Sequence, residues 1–291
     1  MRSLSLIFIL FLCLVSANAE VSKKQARKAI ATAAGFDLPS RAVRVDRVVS
    51  STGGSAEVLA QLELVFRLAR DENGQWRIQE LRTGEARWDD IENLVQAFQI
   101  QSQPEKCDPE KNEYGRFKVE DLSVKRARCL VANLFAVDLP SDAVRIKEIS
   151  TLGLGTQPSA VVVTLIQANF RLAKDAGNWR AVGVHTGNRE WVALETVVPT
   201  VDSKKRSRTT EELNAIASAL DAFKKDRGSF VVSDRHSVLI DHLTPRYLSR
   251  VMRLDAWHRP FHYQGDQEHF TLRSLGPDGK ENTPDDIVVS R

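Results

Sequence analysis

A loop near the end of the chain carries three aspartates among prolines and glycines. The loop runs from Ser274 to Ile287 and contains Asp278, Asp285 and Asp286. Calcium binds through about six to eight oxygen ligands, so a calcium site needs several carboxylates and a bent loop that adds backbone carbonyls. Both are present here, although the spacing is not that of an EF-hand. A solvated polar turn is the alternative, because Pro-Asp-Gly is a strong turn signal.

Two helices and a small sheet are predicted to hold this loop. Apolar residues at helical spacing predict a helix that begins with a capping box from Thr209 to Glu212 and ends at Gly228. A second short helix is predicted at 237–243. Three strands, predicted to form an antiparallel sheet whose last two strands are joined by the aspartate loop, cover 261–264, 269–274 and 287–290.

Three segments of this region carry a family resemblance. They are Ala219–Gly228, Leu254–Tyr263 and Ser274–Ile287. Their order and spacing resemble the globular domain of the major pseudopilin of type II secretion, over roughly residues 209 to 290. In that family the last loop binds calcium, so the resemblance implies a calcium site.

The resemblance also implies the ligands of that site. Asp278, Asp285 and Asp286 match the carboxylate ligands of the family, and Leu275 matches a ligand that binds through its backbone carbonyl. Calcium is therefore the expected cofactor.

The chain departs from the family outside and inside this domain. Pseudopilins begin with a prepilin leader and a long hydrophobic helix that packs the filament core, and the sequence has no segment of that kind before the domain. Ala256 and His258 also replace a proline and a glycine of the family, so we expect a different turn there. Assembly into a filament through the usual helix is not expected.

The first residues of the chain predict export. An apolar run from Leu4 to Val15 is followed by small residues that end at Ala19, which is the pattern of a secretory signal peptide. We expect cleavage after Ala19 and a periplasmic or secreted protein without a transmembrane anchor. Cys13 is preceded by Phe-Leu rather than by the small residues of a lipoprotein site, which argues against lipidation.

The sequence between the signal peptide and residue 200 is duplicated. Similar residues recur in the same order at a nearly constant offset, and most of them are residues that pack cores and form turns. The matched pairs include Asp37–Ser40 with Asp138–Ser141, Phe66–Ala69 with Phe170–Ala173, Thr83 with Thr186, and Trp88 with Trp191. The shared residues therefore indicate a repeated fold rather than a repeated catalytic site.

Each copy is predicted to be an α+β module. A helical segment opens the copy, branched residues then predict three or four antiparallel strands, and a short segment closes it. The predicted fold class is α+β, with two tandem helix-plus-sheet modules before a small pseudopilin-like domain. The predicted division is 1–19 signal peptide, 20–103 first module, 104–200 second module, 201–208 linker and 209–291 pseudopilin-like domain.

Cys107 and Cys129 are the cysteines left after signal cleavage. An oxidising compartment favours a disulfide between them. Buried free cysteines are the alternative, because the sequence does not supply the geometry.

Net charge does not indicate a nucleic-acid partner. The formal charge is +3, which is too small to argue for binding to a polyanion. The basic run at 204–208 is predicted to be part of a solvated linker, with contact to an anionic membrane as the alternative.

No catalytic motif is found in the sequence. It has no nucleophile elbow, phosphate loop, zinc-protease motif or Cys-x-x-Cys pair. We therefore expect a protein that is not an enzyme and that has other envelope or secretion-system proteins as partners. The alternative is a periplasmic carrier that holds a small apolar ligand between helix and sheet in the duplicated modules.

Overall fold

The structure is a computed structural model that describes residues 20–85, 87–100, 103–109, 121–135, 143–152, 158–187 and 189–291. The predicted signal peptide and its cleavage site after Ala19 precede the first described residue. The helices are α1 (Lys23–Ala31), α2 (Ile91–Ala97), α3 (Val124–Phe135), α4 (Val197–Arg227) and α5 (His236–Leu243). The strands are β1 (Val43–Thr52), β2 (Ser55–Arg70), β3 (Trp76–Arg82), β4 (Trp88–Asp90), β5 (Val144–Leu152), β6 (Ser159–Asp175), β7 (Asn178–His185), β8 (Val192–Ala193), β9 (His262–Gly265), β10 (Phe270–Ser274) and β11 (Ile287–Ser290).

The two sequence copies meet in one antiparallel sheet of eight strands. Its centre is the pair of long strands β2 and β6, in which Leu62 lies opposite Ile166. These two residues precede Phe66 and Phe170 by the same four positions, so each is the other's counterpart in the duplicated sequence. Strands that pair at their own equivalent positions are related by a local two-fold axis, as in a symmetric dimer interface.

The outer strands follow the same symmetry. Along the far side of β2, β1 and β3 pair with its two ends, and β5 and β7 do the same along β6. The α+β class is confirmed. The strands of the two copies share one sheet instead of forming the separate sheets expected for independent modules, because the central strands are long enough to pair along their whole length.

One face of the sheet carries the helices. Alternate residues of β2 and β6 are buried, among them Val58, Phe66, Val162 and Phe170, which is the period of a strand with one covered face. Helix α1 contacts β1 of its own copy and β7 of the other copy. Helix α3 contacts β5 and β3 in the corresponding way, so each copy helps to bury the core of the other.

A disulfide joins Cys107 to Cys129, with 5.7 Å between the Cα atoms. This settles the alternative that the sequence left open. The bond ties a short 3₁₀ turn to α3. Asp108, which follows Cys107, accepts hydrogen bonds from Arg77 at 2.6 Å and from Arg126 at 3.2 Å. The disulfide and these buried ion pairs therefore hold the same 3₁₀ turn in place.

The segment 201–208, predicted to be a linker, is helical. It lies inside α4, which begins at Val197 and continues to the C-cap Gly228 at φ +87°. Pro199 is tolerated because it lies in the first turn, where its missing N–H has no helical partner in any case. Two basic residues of this stretch form ion pairs: Lys205 is buried against Asp89, and Arg208 contacts Asp90 at 3.3 Å.

The predicted capping box at Thr209 is therefore wrong. Thr209 lies in the middle of α4, where it is fully buried, and its hydroxyl accepts a hydrogen bond from the Ala256 backbone N–H at 3.2 Å. Glu212 is also buried, and it pairs with Arg250 at 3.2 Å. Both side chains serve tertiary contacts rather than a helix start. The predicted helix end at Gly228 is confirmed.

The C-terminal part of the chain folds as predicted. The second half of α4 and α5 pack against the three-stranded sheet β9–β10–β11. Leu213, Ile216 and Leu220 of α4 are fully buried in this core. The three predicted strands agree with β9, β10 and β11 to within one residue at each end.

Candidate metal site

A buried aspartate fixes the corner that precedes the sheet. One oxygen of Asp255 accepts hydrogen bonds from the backbone N–H groups of Trp257 and Arg259, both at 2.9 Å. The other oxygen accepts one from the Ser274 hydroxyl at 2.6 Å. Ser274 is the last residue of β10, so Asp255 joins the corner to the start of the aspartate loop. Asp255 therefore acts as a turn residue.

Arg259 then holds the first turn of the loop. Its guanidinium donates to the carbonyl oxygens of Gly276 and, at 2.9 Å, Pro277. Gly279 has a φ of +68°, and a Cβ there would lie 2.7 Å from Arg259 Nε. Glycine is thus required both for the backbone conformation and for the approach of the arginine.

The two ends of the loop touch at Gly276. This residue has a φ of +57°, and a Cβ would collide with the backbone carbonyl and the carboxylate of Asp285. The Asp285 carboxylate also accepts a hydrogen bond from the Asp278 backbone N–H at 3.1 Å. The loop therefore folds back on itself and brings the separated aspartates to one place.

The three carboxylates surround the hydroxyl of Thr283. Thr283 Oγ1 lies 2.7 Å from Asp285 Oδ1, 3.4 Å from Asp278 Oδ1 and 3.5 Å from Asp286 Oδ1. It also lies 3.1 Å from the Lys280 carbonyl oxygen. One hydroxyl proton can satisfy one of these four acceptors, and the Lys280 N–H donates to Asp278 Oδ1 at 2.8 Å. The hydroxyl therefore cannot pair all of the oxygens that surround it.

The charge on these groups is held in place by nearby donors. The hydrogen bond from the Thr283 hydroxyl, the bond from the Asp278 N–H and the positive charge of Arg206 lower the pKa of Asp285. Arg206, on α4, also donates to the Asp285 backbone carbonyl at 2.9 Å. The Asn282 N–H donates to Asp286 Oδ2 at 3.0 Å. A carboxylate with a lowered pKa is anionic at neutral pH.

Leu275 takes part in the loop through its backbone. Its carbonyl oxygen accepts a hydrogen bond from the Gly279 N–H at 3.1 Å, which closes the first turn of the loop. Among the described residues, no group of three or more His, Cys, Asp or Glu side chains is arranged to hold a metal ion by itself. A cation in this loop would need hydroxyl and backbone oxygens in addition to the carboxylates, which is the mixed ligand set that calcium takes.

The sequence reasoning identified the aspartates and missed Thr283 and the Lys280 carbonyl. A threonine two residues before an acidic pair is common in turns, so its residue type alone carried no signal. Asn282, with a φ of +65°, shows the left-handed bend that turns Thr283 inward. The turn-rich composition of 277–284 is the signal that could have indicated this bend.

Titratable side chains also converge at the junction of α4 and the first copy. Lys205 forms an ion pair with Asp89, and the Thr83 hydroxyl donates to the same carboxylate. Both charged side chains are buried, at 5% and 7% exposure. Since each is paired with the other, the cluster fastens α4 to β4 and offers no free acid or base for catalysis.

The C-terminal part of the chain is similar to a known family. Residues 196–290 match the family model of type II secretion system (T2SS), protein G. The suspected resemblance is confirmed, and the match begins at Thr196, directly before α4 and before the predicted domain start at 209. No curated protein matches the chain, and no solved structure does.

The matched region is a pseudopilin-like domain, which is α+β and fits an envelope location. The T2SS protein G family is structural, and its members act with other secretion-system proteins. In the described part of the chain, no helix is long and apolar enough to cross a membrane. The match does not extend to the duplicated region before residue 196.

Proposed function

We propose that this chain is an exported, non-catalytic bacterial envelope protein with a calcium-stabilised pseudopilin-like domain. The two N-terminal copies act as binding or spacer modules, and the partners are other envelope or secretion-system proteins. The location is periplasmic or secreted, after removal of the signal peptide at Ala19. The family match supports the envelope assignment, and the loop geometry supports the metal.

The observation that carries the proposal is the set of oxygens around Thr283 Oγ1. Three carboxylate oxygens and one carbonyl oxygen lie within 3.5 Å of that atom. Three anionic side chains repel one another unless a cation neutralises them. Asp278, Asp285 and Asp286 would hold calcium, with Leu275 as the backbone ligand that the family resemblance implies. The bound ion would supply positive charge and tie both ends of the loop together.

The shared helix gives the duplicated region its part in the proposal. The first turns of α4 contact α2 of the first copy, and the rest of the helix packs on the C-terminal sheet. On the loop side, Asp202 of α4 accepts a hydrogen bond from Trp257 Nε1 at 3.0 Å. The duplicated region therefore presents the pseudopilin-like domain in a fixed orientation, which is what a spacer must do.

Affinity capture from a solubilised envelope fraction tests this function. We expect the full mature chain to retain a partner in calcium and to lose it in chelator. Asp286→Asn should lose the partner in calcium as well, while the exposed control Asp234→Asn should keep it. Equal capture in calcium and chelator would contradict a calcium-dependent interaction.

The carrier alternative has one observation in its favour. An apolar cavity of about 120 Å³ lies between the helices and the sheet, lined by both copies. Small-molecule sites usually measure about 300–1,000 Å³. The cavity is thus too small for a large apolar cargo, and we do not take transport as the main function.

A further inference from the structure

The apolar cavity lies where the two copies meet. It is lined by equivalent positions of both, such as Leu81 with Val184 and Ile91 with Leu194. The two copies differ, however, at the polar turn that follows β3 in one and β7 in the other. The difference makes the cavity polar on the side of the second copy.

In the first copy, the turn is closed by Arg87. Its guanidinium donates to the Thr83 hydroxyl at 2.9 Å and to the Gly35 carbonyl. It also lies 3.6 Å from Asp89. The Arg87 guanidinium and the Thr83 hydroxyl therefore both have partners within the protein.

In the second copy, Glu190 stands at the position equivalent to Arg87. A carboxylate cannot donate the hydrogen bonds that close the first turn. The adjacent Arg189 lines the cavity instead, together with Thr186 and Glu190. Only the backbone of Arg189 is tied to the turn, through its N–H to the Thr186 carbonyl at 3.1 Å.

The side chain of Arg189 is short of a partner. Its Nε is buried, and it has no hydrogen-bond partner in the part of the chain that the structure describes. Burial lowers the pKa of the guanidinium. A buried donor of a charged group is costly when it is unpaired, and an anion at the mouth of the cavity would remove that cost.

We propose that the cavity binds a small amphipathic anion, with its apolar body between the two copies and its anionic group on Arg189. An engineered cavity of about 150 Å³ in another protein binds benzene, so the expected body is a single ring or a short aliphatic chain. A carboxylate suits the guanidinium, whose planar fork matches two oxygens. The inference depends neither on calcium nor on a secretion partner.

Titration of the full mature chain with benzoate tests the proposal, with benzyl alcohol as the neutral analogue. We expect saturable binding of benzoate at one site. Arg189→Gln should weaken the affinity for benzoate by about 10- to 100-fold, which is the effect of losing a hydrogen bond to a charged group. The affinity for benzyl alcohol should change little. Arg180→Gln, which removes an exposed arginine of β7, is the matched control and should bind like the wild type.

A second measurement locates the site without a variant. The methyl signals of Leu64 and Leu194, which line the cavity, should shift when benzoate is added, and those of Leu213 in the C-terminal core should not. Absence of binding to the wild type, equal benzoate affinity in Arg189→Gln, or shifts confined to residues outside the cavity would each overturn the proposal.

Discussion

His236 illustrates how one half-buried side chain sets a pH dependence. It packs against Phe261, with 5.6 Å between the ring centres, and its Nε2 is buried without a partner in the described structure. Burial, and the nearby positive charge of Arg253 and His262, lower its pKa from 6.5 to about 4. The unfolded chain therefore takes up a proton at a higher pH than the folded chain does.

This histidine should destabilise the fold as the pH falls from about 6.5 to about 4. Above pH 6.5 both states are neutral and the full stability is present. We expect the free energy of unfolding to fall by about 2 kcal/mol across that pH range, after allowance for solvent screening. Urea unfolding at pH 7 and pH 4.5 measures it. His236→Phe should remove this loss, and the exposed control His269→Gln should keep it; an unchanged pH slope in His236→Phe would contradict the assignment.

His258 illustrates a residue in a backbone conformation that favours glycine. Its φ is +62°, and its N–H donates to the Asp255 carbonyl at 3.0 Å in the corner before β9. The pseudopilin family has glycine here, and the corner that the structure forms is one that suits glycine. The buried contacts of Asp255 hold the corner in this conformation.

His258→Gly should therefore stabilise the protein. We expect a gain of up to about 1 kcal/mol, because glycine adopts a positive φ without the steric cost of a Cβ. Ala256→Gly, two residues earlier at a negative φ, should instead destabilise by about 0.5–1 kcal/mol. The midpoints of urea unfolding compare the two. A loss of stability in His258→Gly would show that the imidazole makes a contact worth more than the strain.

At the scale of elements, α4 belongs to both parts of the protein. Its first turns match the closing helix α2 of the first copy in position, and its later turns form the core of the pseudopilin-like domain. The buried pair of Lys205 and Asp89 fastens the middle of this helix to β4. Removal of one partner from such a pair leaves the other charge buried and uncompensated.

Lys205→Met should lower the free energy of unfolding by about 3 kcal/mol. The matched control Lys204→Met, at the exposed neighbouring position, should lower it by less than about 0.5 kcal/mol. In the double variant Lys205→Met with Asp89→Leu, the free energy of unfolding should recover towards the wild type, since no unpaired charge remains. Chemical denaturation of the wild type, Lys205→Met, Asp89→Leu, the double variant and the control Lys204→Met tests this. If the double variant is as unstable as the sum of the single variants, the ion pair does not join these elements.

The sequence predicted the helices and strands better than it predicted the contacts between them. Alternation in β6 and the helical period after Thr209 indicated the type and approximate place of these elements, because both patterns are local. The helical start of α4 was missed because Pro199 and the basic run resemble a linker. The partner that makes Lys205 a buried residue, Asp89, lies 116 positions away in the chain, and local patterns do not reveal such contacts.

The same limit applies to the metal site and to the sheet. Asp278, Asp285 and Asp286 were predictable from residue type and from the family resemblance. The central place of Thr283 depends on the three left-handed residues of the loop, which are Gly276, Gly279 and Asn282. The duplication was visible in the sequence. The single shared sheet was not visible in the sequence, because the outward and inward residues of β2 and β6 would alternate in the same way in two separate sheets.

At the scale of the whole molecule, one helix joins a pseudopilin-like domain to a two-fold sheet. The loop contributes to this arrangement because Arg206 of α4 reaches the Asp285 carbonyl, and Trp257 reaches Asp202 of the same helix. An ion in the loop would therefore stabilise the surface against which the helix packs, in addition to the loop itself. Calcium is the claim on which the proposed function depends most.

Thermal unfolding of the full mature chain, in calcium and in chelator, tests that claim most directly. At a calcium concentration about a hundred times the dissociation constant, binding adds about 2.7 kcal/mol, which should raise the melting temperature of the C-terminal domain by about 10–20 °C. Magnesium should give little of this rise, Asp278→Asn and Asp286→Asn should abolish it, and Asp234→Asn should retain it. A wild-type melting temperature that is the same in calcium and in chelator would contradict the account.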